Sequence, residues 1–135
     1  MTNSVVLDAS ALVAGLVDQQ RQDPLDALVA DRAFDLVVPH VCDLEVLSAL
    51  RTGVFRQVLA PDEAWRALST FRDLPLNRFP HQPLLGRVFE LRDNFTPYDA
   101  VYVALAEAMA APLYTADARL ARAVRGWTAL EVVEF

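Results

Sequence analysis

Apolar residues along this chain fall into short runs that alternate between two spacings. Ser4 to Leu7 is a brief valine-rich run ending on Asp8; it is too short for a helix and reads as a buried strand. Ala9 to Val17 takes helical spacing, and Pro24 to Ala33 reads as a second helix opening on a proline suited to its first turn. Phe34 to Val38 is another strand, closed by Pro39. From Val41 to Leu50 almost every residue is apolar, the pattern of a helix buried on most sides, so its polar exceptions carry information.

The second half repeats the alternation. Pro61 to Arg72 reads as an amphipathic helix, followed by a proline-punctuated connection through Leu76, Phe79 and Pro80 with room for a third short strand. Pro83 to Arg92 resumes helical spacing. Thr96, Pro97, Tyr98 and Asp99 mark a helix start three times over: a side-chain cap, a proline at the first helical position, and an acid three residues after the cap. That helix runs to about Ala111 and is apolar nearly all round. Leu113 to Thr115 is a strand stub, Asp117 to Arg125 a helix, and Leu130 to Val133 a closing strand. Strands alternating with helices imply a parallel sheet covered on both faces, and such sheets bind ligands beyond the carboxyl ends of their strands. Asp8 and Asp117 follow directly on predicted strands and belong at that rim.

No repeat, low-complexity tract or linker divides the chain, so residues 1–135 are expected to form one domain, long enough to bury about two-thirds of its unfolded surface. No apolar run approaches the roughly 18 residues of a membrane span, and the opening MTNSVVLDAS lacks a basic leader, so a cytoplasmic protein is expected. Cys42 is the only cysteine, which excludes an internal disulfide. The net charge is −6, and all twelve basic residues are arginine. That balance argues against gripping nucleic acid through a broad basic surface, since phosphate neutralisation supplies most non-specific affinity. It leaves room for acids gathered in one place to hold cations.

Four acids stand where acids are costly or conspicuous: Asp8 at a strand end, Glu45 and Asp99 in apolar helices, and Asp117 at a helix start. Taken singly, three have a local explanation, Asp8 and Asp117 as helix caps and Asp99 as the reciprocal acid of the Thr96 cap. Glu45 has none, because Val41, Cys42, Ser48 and Ala49 surround it at helical spacing and offer no cation. A buried carboxylate without a partner either neutralises or coordinates a metal. Were the four to converge, each pair about 4 Å apart would repel by about 4 kcal/mol at an effective dielectric of roughly 20. Divalent cations relieve that repulsion. Hard carboxylate oxygens suit Mg2+ or Mn2+, whose chemistry points to phosphodiester hydrolysis.

The segments VVLDASALVA (5–14), PHVCDLEVLSALR (39–51), TPYDAVYVALAEA (96–108) and LYTADARLARA (113–123) resemble, in order, the four motif regions of PIN-domain ribonucleases, and most closely the VapC-type toxins of bacterial toxin–antitoxin pairs. The resemblance implies a three-layer α/β/α sandwich around a parallel sheet of four to five strands, and Mg2+- or Mn2+-dependent endonuclease activity on RNA. Asp8, Glu45, Asp99 and Asp117 fall on the family's acidic, catalytic and metal-binding positions. Ser10 and Thr115 match hydroxyl positions that line the pocket, although Ser10 serves equally well as a local helix cap. The resemblance also implies a homodimer and a small inhibitory antitoxin that inserts into or beside the acidic pocket. Ser48 stands where many relatives carry an amide, and Arg119 where some carry a further acid; both bear on metal number and pocket detail.

Other candidates carry less. His40, Cys42, Asp43 and Glu45 are metal-ligand types that point in different directions around a helix, which argues against zinc. Cys42 reads as a small core side chain, and the two histidines as loop or helix-end residues. Arg119, Arg122 and Arg125 read as a solvated face with a lesser claim on RNA phosphates, as does Arg51; Trp65 and Trp127 read as core or dimer anchors. A receiver-type phosphoacceptor domain requires a lysine, and this chain has none. A haloacid-dehalogenase-type phosphatase requires an aspartate at position 10, which is serine. The remaining alternative is a PIN-like module whose pocket is idle and which acts by binding a protein.

Overall fold

The computed structural model describes residues 3–135. Strands and helices follow in the order β1 (Asn3–Leu7), α1 (Ala9–Val17), α2 (Gln19–Ala30), β2 (Phe34–Pro39), α3 (Cys42–Phe55), α4 (Pro61–Asp73) and β3 (Leu76–Phe79). A 3-10 turn (Gln82–Leu84) leads into α5 (Leu85–Glu90), α6 (Pro97–Met109), β4 (Leu113–Thr115), α7 (Ala118–Trp127) and β5 (Val132–Glu134). The strands form one sheet in the order β3-β2-β1-β4-β5, every neighbouring pair parallel. Val5, Val6 and Leu7 of β1, and Leu36, Val37 and Val38 of β2, are all buried. Unbroken apolar strands are what a sheet covered on both faces demands, because neither side of the pleat meets water. The fold is the expected α/β/α sandwich.

The topology decides where a site can form. The chain lays β2 and then β3 on one side of β1, and returns through α5 and α6 to place β4 on the other. Strand order therefore reverses at the β1/β4 seam, where the connections diverge and leave a crevice at the carboxyl ends. Asp8 follows the last residue of β1, and Asp117 lies two residues beyond the end of β4. Across this region runs α6, packed on β1, β2 and β4, with Ala100 to Ala106 all buried. It stops at Met109 because Ala110 turns left-handed with φ 50°.

Several local expectations need correction. Helix α2 begins at Gln19 under the Asp18 side chain, which accepts from the Gln20 N–H, so Pro24 lies inside the helix rather than at its start. Helix α3 continues to Phe55 and is not buried on most sides: Cys42, Val46 and Leu50 face the core, while Leu44 is 68% exposed and Leu47 and Phe55 are also open. Only one side of α3 faces α1 and α4, and its apolar residues outnumber the places on that side. Trp65 and Trp127 are exposed, not core. Gly15 sets the approach of α1 to α2, since a Cβ there would come within 2.6 Å of the Leu25 Cβ.

Candidate active site

At the β1/β4 seam the acids are held by hydroxyls. Asp8 is the N-cap of α1: its Oδ1 accepts from the Ala11 N–H at 2.9 Å and from Ser10 Oγ at 2.7 Å. Its Oδ2 accepts from Thr115 Oγ1 at 2.7 Å. Thr115 Oγ1 in turn accepts from the Asp117 N–H at 3.0 Å, and Ser10 Oγ from the Ala116 N–H at 3.0 Å. Two hydroxyls thus lash the loop after β4 to the loop after β1, more than a hundred residues apart in sequence. Asp117 caps α7, its Oδ1 accepting from the Arg119 and Leu120 N–H groups. The capping roles of Asp8 and Asp117 are real, and each leaves the carboxylate at the rim.

Glu45 and Asp99 reach the same rim from helices. Glu45 Oε1 accepts from the Tyr102 hydroxyl at 2.7 Å, so the isolation expected for Glu45 is incomplete: its partner comes from α6 rather than from its own helix. Asp99 contributes its N–H to the Thr96 cap, but its carboxylate takes no part in a reciprocal cap. It meets Arg119 instead, whose Nη2 lies 3.2 Å from Asp99 Oδ2 and 3.6 Å from Asp117 Oδ2. Arg119 is thus solvent-exposed, as expected, and also meets the acidic rim. Arg125 pairs with Glu134, away from the acids.

The electrostatics tie the four together. Burial raises the Asp8 carboxyl above its ordinary value, the hydrogen bonds from Thr115, Ser10 and Ala11 work against that rise, and the charge of Asp117 adds to it. Burial likewise raises Glu45 against the Tyr102 hydrogen bond, and the charges of both Asp99 and Asp8 push it further. Asp8 thus feels the charge of Asp117, and Glu45 the charges of Asp99 and Asp8. Among the described residues, no three His, Cys, Asp or Glu side chains are gathered into a ready-made metal cage. The rim offers oxygen donors in smaller sets, held by hydroxyls. Hard oxygen donors of this kind are the ligand type that divalent cations such as magnesium or manganese take, in sites that keep several waters.

Ser10 and Thr115 both donate to Asp8. Tyr102 was missed, because a tyrosine in an apolar helix reads as core; the signal available was its position one turn after Asp99. Cys42 is buried, and burial pushes its thiol up to about 12, so it is an inert core group.

Comparison with known proteins identifies the family. The family model described as PIN domain matches residues 5–126. The chain is similar to ribonuclease VapC9 of Mycobacterium tuberculosis, at 43% identity over 116 residues, covering 86% of this chain and 87% of that protein. Its fold is similar to that of PAE2754 from Pyrobaculum aerophilum, with a TM-score of 0.74 at 22% identity, covering 98% of this chain and 83% of the other. VapBC2 from Rickettsia felis, solved with a DNA fragment from its promoter, gives 0.67 at 15% identity over 98% of both chains. The chain belongs to the PIN-domain family, among its VapC ribonucleases.

Proposed function

We propose that residues 1–135 work as one PIN domain, an endoribonuclease toxin that hydrolyses RNA phosphodiester bonds with Mg2+ or Mn2+. Asp8, Glu45, Asp99 and Asp117 are its catalytic and metal-holding residues, with Ser10 and Thr115 fixing Asp8. The observation that carries the reading is the hydrogen-bonded convergence of Asp8, Ser10, Thr115 and Asp117 at the sheet's switch point, in one electrostatic field with Glu45 and Asp99. When bound, the divalent ion supplies charge neutralisation at phosphorus and a water of lowered pKa. The protein's part is positional. Hydroxyls hold both Asp8 oxygens, and burial with neighbouring negative charge raises the Asp8 and Glu45 carboxyls, an environment that a bound cation would relieve. Arg119 supplies an exposed cation at the rim, placed to meet a backbone phosphate.

A protein antitoxin is the expected partner, as the VapBC assemblies suggest by analogy, and a homodimer the expected form in a cytoplasmic setting. Support for partners comes from apolar surface left open along α3 and α4, where Leu47, Val54, Phe55 and Trp65 line a groove of about 310 Å³. No described helix is long and apolar enough to cross a membrane.

The test is cleavage of a cellular RNA pool with the ends mapped. Wild type should cut in Mg2+ or Mn2+ and stop in chelator, and Asp8→Asn should lose roughly 10³-fold or more of the rate while staying folded by circular dichroism. Cleavage by Asp8→Asn at the wild-type rate would remove the mechanism. No cleavage by wild type in either metal would favour the idle binding module.

A further inference from the structure

The Tyr102 hydroxyl is the one polar group that α6 carries into its buried stretch, and it ends on a residue of the acidic rim. Tyr102 is 2% exposed, and its OH donates to Glu45 Oε1 at 2.7 Å. Glu45 comes from α3, in the other helical layer, so this bond spans the carboxyl edge of the sheet. Among the described residues no hydrogen bond reaches Glu45 Oε2. One oxygen is therefore fixed and the other is left free at the rim. Tyr102 also sits one helical turn after Asp99, on the same face of α6. The helix that carries Asp99 thus also carries Tyr102, the donor to Glu45, the two Cβ atoms being about 5–6 Å apart at this spacing. Cys42, one turn before Glu45 on α3, lies beside the same hydroxyl, so a buried core side chain flanks the bond on one side.

We propose that Tyr102 is a positioning residue for the active site: its hydroxyl locks Glu45 Oε1 and so presents Oε2, at a spacing from Asp99 that α6 itself fixes, to the divalent ion. This rests on the proposed metal-dependent reading of the site. A buried tyrosine that merely needs an acceptor would also bond to Glu45, but its loss would then register as stability rather than as metal affinity. Outer-shell groups that orient metal ligands typically contribute about 10- to 100-fold in metal affinity or activity.

The experiment is calorimetric titration of Mn2+ into wild type, Tyr102→Phe, Glu45→Gln and the double variant, with kcat and KM for RNA measured alongside. Tyr102→Phe keeps the ring and removes only the hydroxyl. It should weaken Mn2+ binding by roughly tenfold or more, lower kcat and leave KM for RNA unchanged. In the Glu45→Gln background the same substitution should add nothing further, because its effect passes through Glu45. Wild-type Mn2+ affinity in Tyr102→Phe, even with a lowered melting temperature, would overturn the proposal, as would additive losses in the double variant. If Glu45→Gln itself binds Mn2+ like wild type, the failure lies with the role assigned to Glu45, and the two proposals fall together.

Discussion

The inner and outer ends of the acidic rim manage negative charge by different means. At the inner end Asp8 is 5% exposed and held by neutral donors, the Ser10 and Thr115 hydroxyls and the Ala11 N–H. At the outer end Asp99 and Asp117 share a full positive charge, the guanidinium of Arg119, which is itself 70% exposed. Burial raises Asp8 and Glu45, and the neutral donors that fix their direction offset only part of that rise. An exposed cation does the reverse, cancelling charge while fixing geometry less. On the proposed reading, the inner end would direct a bound ion and the outer end would exchange its cation. Arg119 lies in the first turn of α7, where the helix dipole disfavours a cation, so the acids rather than the helix account for its placement.

The sharpest way to break this contrast is Thr115→Val, which keeps the shape of a fully buried side chain and deletes its hydroxyl. Asp8 Oδ2 would lose its donor and the Asp117 N–H its acceptor. Mn2+ affinity measured by calorimetry should fall by roughly 10- to 100-fold, and stability by about 1–3 kcal/mol from the groups left unsatisfied. Wild-type metal affinity would show that the inner hydroxyls serve the fold alone.

A smaller effect in the opposite direction is expected outside. Arg119→Gln removes the cation that competes for Asp99 and Asp117, so Mn2+ should bind about two- to fivefold more tightly, in keeping with the modest worth of an exposed pair. Raising salt to about 0.5 M should shrink that difference, while the Thr115→Val effect stays nearly constant, since screening acts on exposed charges first. Equal salt sensitivity at both ends would erase the distinction. Weaker binding in Arg119→Gln would make the arginine an organiser of the site instead of a competitor.

The sequence was most legible where local chemistry and tertiary role coincide. Asp8 and Asp117 are helix caps as well as rim acids, so strand-end position and capping preference pointed to the same residues. The start of α6 was marked by Thr96, Pro97 and Asp99, and its seven buried residues from Ala100 to Ala106 by unbroken apolarity. What stayed hidden was pairing across elements. Nothing near Glu45 in sequence names Tyr102, and nothing near Asp99 names Arg119, because those contacts exist only once α3, α6 and α7 converge. The exposed side of α3 was hidden for a related reason: periodicity reports that residues are apolar, not that this chain covers them. The Arg119 contact also changes one energetic expectation. Removing the Asp99 charge would relieve repulsion and break an ion pair together, so Asp99→Asn is a poor probe of charge crowding.

Glu45→Gln is the better probe, with the smallest effect and the clearest sign. Burial and the charges of Asp99 and Asp8 raise the Glu45 carboxyl in the folded protein. As pH rises, the unfolded chain releases this proton first, at the ordinary carboxylate value. Between the two values the folded state binds more protons, so stability falls with rising pH, and the loss is complete above the folded value. The glutamine removes this titration while keeping an oxygen for the Tyr102 hydroxyl. In chelator the variant should therefore melt a few degrees above wild type at about pH 8. The gap should narrow as the solution is acidified through the raised Glu45 range and close near the ordinary carboxylate range, where wild-type Glu45 is itself neutral. A gap that keeps its size at every pH would arise from packing instead, and the inner end would then hold no uncompensated charge for a divalent ion to relieve.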